Sequence, residues 1–152
     1  MNILDKIVEQ KKQEVAEARK NISLEELKDA ALFNRKTFSL KESVKSGSGI
    51  IAEFKRQSPS KGIINDKADV LEVAKSYQKF GASGISILTD AEFFGGKLED
   101  ILKVRNEISI PILRKDFMID EYQFYEAKAN GADVILLIAS CLSPNQVQEF
   151  TQ

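Results

Sequence analysis

The sequence predicts an α/β fold in which a parallel sheet is assembled from successive strand and helix units. Short, nearly continuous apolar runs recur along the chain, as strands buried on both faces require. Helical patterns lie between them, and the repeat distance of about 20 to 35 residues is that of right-handed βαβ units. Two of the joints, Phe80-Gly81-Ala82 and Asn130-Gly131-Ala132, are near copies of each other, so one unit is used more than once.

The N-terminal segment, residues 1–47, differs in character from the rest and reads as a helical extension. Ile3, Leu4, Ile7, Val8 and Val15 recur at helical spacing among Lys and Glu, which makes an amphipathic helix. Ser23-Leu24-Glu25-Glu26 is the capped start of a second helix, and a short third is expected around Leu40 to Val44. An apolar stripe of this kind is expected to pack on its own domain. Ser46-Gly47-Ser48-Gly49 then releases the chain into the repeating part, residues 48–152.

Four strands are expected there: one beginning at Ile50, then Ile85 to Asp90, Ile110 to Asp116 and Ala132 to Ile138. Helices are expected from Asp69 to Phe80, with Val70, Val73, Ala74 and Tyr77 on one face, from Leu98 to Asn106, and from Glu121 to Asn130. Gly81 and Gly131 stand at the stop positions of the first and third.

The first strand breaks its own pattern. In Ile50-Ile51-Ala52-Glu53-Phe54-Lys55, side chains alternate faces, so Glu53 and Lys55 share the face of Ile51, expected to be buried. Burying an unpartnered charge costs several kcal/mol, so this placement indicates either a site or an ion pair turned to solvent on an edge strand. Thr89 with Asp90, and Lys115 with Asp116, put polar groups at the C-terminal tips of two further strands. That is the face on which βα barrels assemble their sites. Open doubly wound sheets also bind ligands beyond their strand ends, commonly with a glycine-rich phosphate turn, and no Gly-x-Gly-x-x-Gly or Walker sequence follows Lys55.

Composition excludes several classes of function. With 43% hydrophobic and 30% charged residues and a net charge of −1, the chain has the balance of an ordinary soluble protein and lacks the basic excess of a nucleic-acid binder. The longest apolar run, Val134 to Ala139, is too short to cross a bilayer, and no secretory pattern opens the chain, so no membrane role and a cytoplasmic location are expected. Cys141 is the single cysteine and reads as a small residue at a strand end. Histidine is absent, so proton transfer falls to Lys, Glu, Asp, Tyr or water. Lys55 and Lys115 would act on each other's basicity if their strand tips faced a common centre.

Three segments together resemble indole-3-glycerol phosphate synthase, in order and spacing. They are Glu53-Phe54-Lys55-Arg56-x-Ser58-Pro59-Ser60-Lys61-Gly62, Ser86-Ile87-Leu88-Thr89-Asp90-x-x-x-Phe94-x-Gly96 and Pro111-Ile112-Leu113-Arg114-Lys115-Asp116-Phe117. The resemblance implies a (βα)8 TIM-barrel fold, of which residues 48–152 would be the first four βα units. It implies conversion of 1-(2-carboxyphenylamino)-1-deoxyribulose 5-phosphate to indole-3-glycerol phosphate in tryptophan biosynthesis, with release of carbon dioxide and water and with no metal or organic cofactor. Lys115 matches the family's general acid, Lys55 the lysine that binds the anionic substrate and assists acid catalysis, and Glu53 the carboxylate that positions this network. Ser58 would contribute to anion binding, and Phe94, Phe117 and Leu136 would line the pocket for the anthranilate ring. On the residues alone, Ser58 is a loop hydroxyl and the other three are core positions.

A βα barrel takes about 250 residues, whereas this chain has 152. The family's general-base glutamate, asparagine, Glu-Ser pair and phosphate-binding glycines, on strands five to eight, are therefore expected to lie outside it, and the chain alone is expected to have little turnover. Two other readings stay open: a non-catalytic half barrel that self-associates through its open edges and binds phosphate ligands weakly, and a Schiff-base aldolase using Lys115.

Overall fold

The computed structural model describes residues 2–152. The N-terminal segment forms α1 (Ile3–Asn21), α2 (Leu24–Asp29) and α3 (Leu40–Ser46). Asn2 and Asp5 make a reciprocal capping box at the start of α1, and Ser23 with Glu26 makes the one that starts α2. The repeating part follows as β1 (Ile51–Phe54), a small hairpin of β2 (Gln57–Ser58) and β3 (Gly62–Ile63), α4 (Val70–Lys79), β4 (Gly84–Leu88), α5 (Leu98–Arg105), β5 (Ile112–Lys115), α6 (Tyr122–Ala129), β6 (Val134–Ile135) and α7 (Pro144–Phe150). No described helix is long and apolar enough to cross a membrane.

The four main strands are parallel and neighbour one another in the order β1-β4-β5-β6, which is also their order in the chain. A doubly wound sheet reverses its strand order at a switch point; this sheet does not, and so winds in one direction as a barrel wall does. One face is covered. Phe54, Ile85, Ile87 and Ile112 pack there with Val70 and Ala74 of α4, Ile101 and Val104 of α5, and Ala127 of α6. Gly81 and Gly131 adopt φ of 89° and 101° where α4 and α6 end, which explains the repeated Gly-Ala joint.

The other face is open along β1, and this corrects one expectation. Ile51 is 45% exposed rather than buried, because β1 is an edge strand with β4 as its one strand neighbour. The fourth strand is also shorter than the apolar run 132–138 suggests. It pairs only with β5, through Leu113 with Val134 and Arg114 with Ile135. Cys141 lies not in a strand but in the short 3-10 turn Ala139–Cys141, where burial pushes its thiol pKa up.

The helical segment packs where an amphipathic face should go, with Ile7 and Val15 of the expected stripe buried and Lys11 between them. Ile3 is exposed, and the buried residues of α1 are Ile7, Lys11 and Val15. Val15 joins Leu27, Tyr122 and Ala129 in a second apolar cluster that seats α1 and α2 on α6. The Tyr122 hydroxyl donates to the carbonyls of Ala18 and Ile22 at 3.1 and 2.9 Å and so anchors the end of α1.

Candidate active site

The parallel register places Glu53 beside Ser86 and Ser86 beside Leu113, on the face turned away from the helices. Leu88 and Lys115 pair one level nearer the C-terminal tips. Glu53 reaches across this level. Its Oε1 accepts from Lys55 Nζ at 3.0 Å, and its Oε2 lies 3.3 Å from Lys115 Nζ and accepts from Ser86 Oγ at 3.4 Å. All three charged side chains are about one-third exposed, at 33%, 32% and 34% for Glu53, Lys55 and Lys115, so they are ordered by one another yet open to a ligand. Burial opposes ionisation of Glu53, but the hydrogen bond from Lys55 and the charges of Lys115 and Lys55 outweigh it and hold the carboxyl below its usual range.

The two lysines therefore meet across a shared carboxylate rather than facing each other directly. Glu53 and Lys55 are thus not an ion pair confined to the edge strand, since Ser86 of β4 and Lys115 of β5 share the same carboxylate. Phe94 and Phe117 also converge, with ring centroids 6.0 Å apart. Phe94 lies in the turn after β4, where Gly96 N–H donates to the Asp90 carbonyl at 2.7 Å. Phe117 follows β5, and Gln123 holds that loop by accepting from the amides of Ile119 and Asp120 and donating to the Phe117 carbonyl.

Ser58 and Leu136 are placed less closely. Ser58 is half-buried in the β2-β3 hairpin, and its hydroxyl accepts from the Lys61 amide at 3.2 Å and lies 3.4 Å from that of Ser60. The hairpin itself, two residues on each strand, is too short to show in the hydrophobic pattern of the sequence. Leu136 is half-buried just beyond β6.

Thr89, Asp90 and Asp116 do not join the lysine cluster, although they stand on the expected strand tips. They turn into the protein, where Asp116 accepts from Thr89 Oγ1 at 2.6 Å and from Arg114 Nη2 at 3.2 Å. Burial works against the Asp116 charge, but Arg114 and Lys11 overcome it and hold the carboxyl below the ordinary aspartate range. The cation that closes this network comes from α1. Lys11 Nζ is 2.9 Å from Asp90 Oδ2 and 3.0 Å from Asp116 Oδ1. The signal was present in the sequence, since Ile7, Lys11 and Val15 stand four apart on one helical face.

A family model described as Indole-3-glycerol phosphate synthase matches residues 4–152. A protein of that name from Bacteroides thetaiotaomicron is 47% identical over 152 residues, covering 99% of this chain and 58% of the relative. Those from Polynucleobacter asymbioticus and Carboxydothermus hydrogenoformans are 44% and 42% identical, covering 98% and 97% of this chain and 60% and 59% of the relatives. The chain belongs to the indole-3-glycerol phosphate synthase family. It spans a little under three-fifths of the length of these relatives, and its singly wound four-stranded sheet is the corresponding part of the family's barrel. The match reaches through α1 and α2 as well as the sheet, so the helices that supply Lys11 belong to what the indole-3-glycerol phosphate synthases share with this chain.

Proposed function

We propose that this chain carries the acid side of an indole-3-glycerol phosphate synthase site, acting on 1-(2-carboxyphenylamino)-1-deoxyribulose 5-phosphate. The observation that supports it is the pair of ammonium groups, Lys55 and Lys115, held on the two oxygens of Glu53, with the rings of Phe94 and Phe117 paired in the turns that follow β4 and β5.

The chemistry needs such an arrangement. A bond forms between the ring carbon bearing the carboxylate and the ketose carbonyl carbon, and the carbonyl oxygen must take a proton as that bond forms. Lys115 is the donor in this reading, and Glu53 fixes the direction of its Nζ. The bond to the carboxylate then breaks, its electron pair restores the aromatic ring, and carbon dioxide leaves. A proton and the new hydroxyl depart as water to complete the indole. Lys55 faces the substrate's negative charge, Ser58 supplies a hydroxyl to the same anion, and Phe94, Phe117 and Leu136 bound the anthranilate ring. Proton removal calls for a carboxylate free to accept. Asp90 and Asp116, the other carboxylates at the described strand tips, are both committed to Lys11, so in this reading the base comes from beyond residues 2–152.

Product fluorescence tests the reading, with the chain assayed alone and mixed with a separately made segment supplying the remaining strands. Lys115-dependent product in the mixture, with little from the chain alone, supports it. Lack of product in the mixture, with both parts folded and associated, overturns it. A second reading, self-association through the unpaired edges of β1 and β6, draws on the exposure of Ile51 on the open face. Sedimentation across a concentration series tests that one, and a monomer throughout refutes it.

A further inference from the structure

The chemistry above leaves a buried lysine unused. Lys11 is only 3% exposed, and its Nζ lies 2.5 Å from Glu14 Oε2 as well as within 3.0 Å of Asp90 and Asp116. Burial disfavours its charge, but the two aspartates and Glu14 outweigh burial and raise its pKa above the ordinary lysine range. Both aspartates have a second task. Asp90 Oδ1 accepts from the Phe93 amide at 2.8 Å and so shapes the turn that displays Phe94. Asp116 Oδ1 accepts from the Phe117 amide at 2.8 Å, and Asp116 is the residue next to Lys115. The side chains of Asp90 and Asp116 are 0% and 1% exposed. Asp116 keeps Arg114 as a second cation, whereas among the described residues Lys11 is the only cation paired with Asp90.

One ammonium, borne by a helix outside the sheet, thus bridges the turns after two adjacent strands. We propose that Lys11 is a positioning residue: it sets the placement of the turn after β4 relative to the turn after β5, and with it the geometry among Phe94, Phe117 and Lys115. The proposal rests on reading the lysine cluster as the acid side of the synthase site. Neither aspartate can relocate its charge to water, so a displaced bridge is felt at the turns rather than dissipated at the surface.

Amide exchange on this chain tests the bridge without reference to turnover. In Lys11→Met, the Phe93 and Phe117 amides should exchange about tenfold or more faster than in the parent, while the Ile85 amide in the centre of β4 keeps its protection. Lys11→Arg should restore most of the protection at both turns. Should Lys11→Met not fold, the double change Lys11→Met with Asp90→Asn, which rebalances the buried charge, carries the same comparison. In the barrel completed by the remaining strands, Lys11→Met should lower kcat on the order of 10- to 100-fold and change KM far less, with Lys11→Arg recovering activity.

Recovery of full kcat by the double change would show that Lys11 serves charge balance alone and would overturn the proposal. Unchanged exchange at Phe93 and Phe117 would overturn it as well. Lys115-dependent turnover of the parent barrel tests the functional reading separately, because the exchange measurement decides the bridge even where no turnover is seen.

Discussion

Lys115 lies 3.3 Å from the carboxylate of Glu53, although the strands that carry them are separated by β4 and the residues by 62 positions in the chain. The contact exists because Ser86, between them, is short enough to let the two longer side chains meet over it. Changing either residue should therefore damage the same step. In the completed barrel, Lys115→Met and Glu53→Gln should each reduce kcat by about 100-fold or more, the range of a lost general acid. The double variant should be little worse than Lys115→Met, as expected of groups acting as a unit. Additive losses would separate their roles.

Phe94 and Phe117 form one apolar surface, so truncating them should weaken binding of an anthranilate analogue more than it changes the chemistry. Phe94→Ala and Phe117→Ala should each raise the analogue's Kd on the order of tenfold in calorimetric titration, with a double-variant loss smaller than the product because the rings touch. An unchanged Kd in both would place the ring elsewhere.

Asp116 makes stability depend on acid. Its pKa is lowered in the folded chain, so its contribution is complete above the unfolded value of about 3.9 and is lost as pH falls through the folded one. Asp116→Asn should be less stable at neutral pH, and its stability should decline less steeply than the parent's below pH of about 4. Urea titrations at several acidic pH values check this, and parallel curves would contradict it.

Asp133 does for the N-terminal end of the sheet what Lys11 does for the other. Its buried carboxylate pairs with Arg35 at 3.0 Å and with Arg105, and it accepts from the amides of Phe38 and Ile112 at 3.0 and 2.8 Å. Asp133→Ala would leave two guanidinium groups facing each other and should cost about 3 to 5 kcal/mol in denaturant unfolding. A loss below about 1 kcal/mol would mean that the arginines find water instead.

Gly96 and Gly81 should respond differently to the same change. A Cβ on Gly96 would stand 2.2 Å from the Leu88 carbonyl oxygen, so Gly96→Ala must displace the turn that bears Phe94. Gly81 has open space around it and only its φ of 89° to satisfy. Gly81→Ala should cost on the order of 1 kcal/mol, and Gly96→Ala more, with altered analogue binding as well. Equal effects in thermal unfolding would refute the distinction.

Local rules determined a good part of this protein directly from its sequence. The strand and helix alternation, the stops at Gly81 and Gly131, the cap at Ser23, and the candidates Glu53, Lys55 and Lys115 follow from periodicity, turn chemistry and the cost of misplaced charge, each a matter of a few neighbouring residues. The three ordered segments carried the family resemblance in the same way. Strand alternation already sets Asp116 on the face opposite Lys115, but only the tertiary structure decided that Asp90, in the turn beyond β4, and Asp116 are both neutralised by a buried cation rather than offered to a ligand. That partner, Lys11, is about 80 to 105 positions away; helical spacing puts it on one face with Ile7 and Val15 but does not say what that face packs against. A buried charge is stable only where its counter-charge is brought to it, and long-range contacts of that kind are set by the fold.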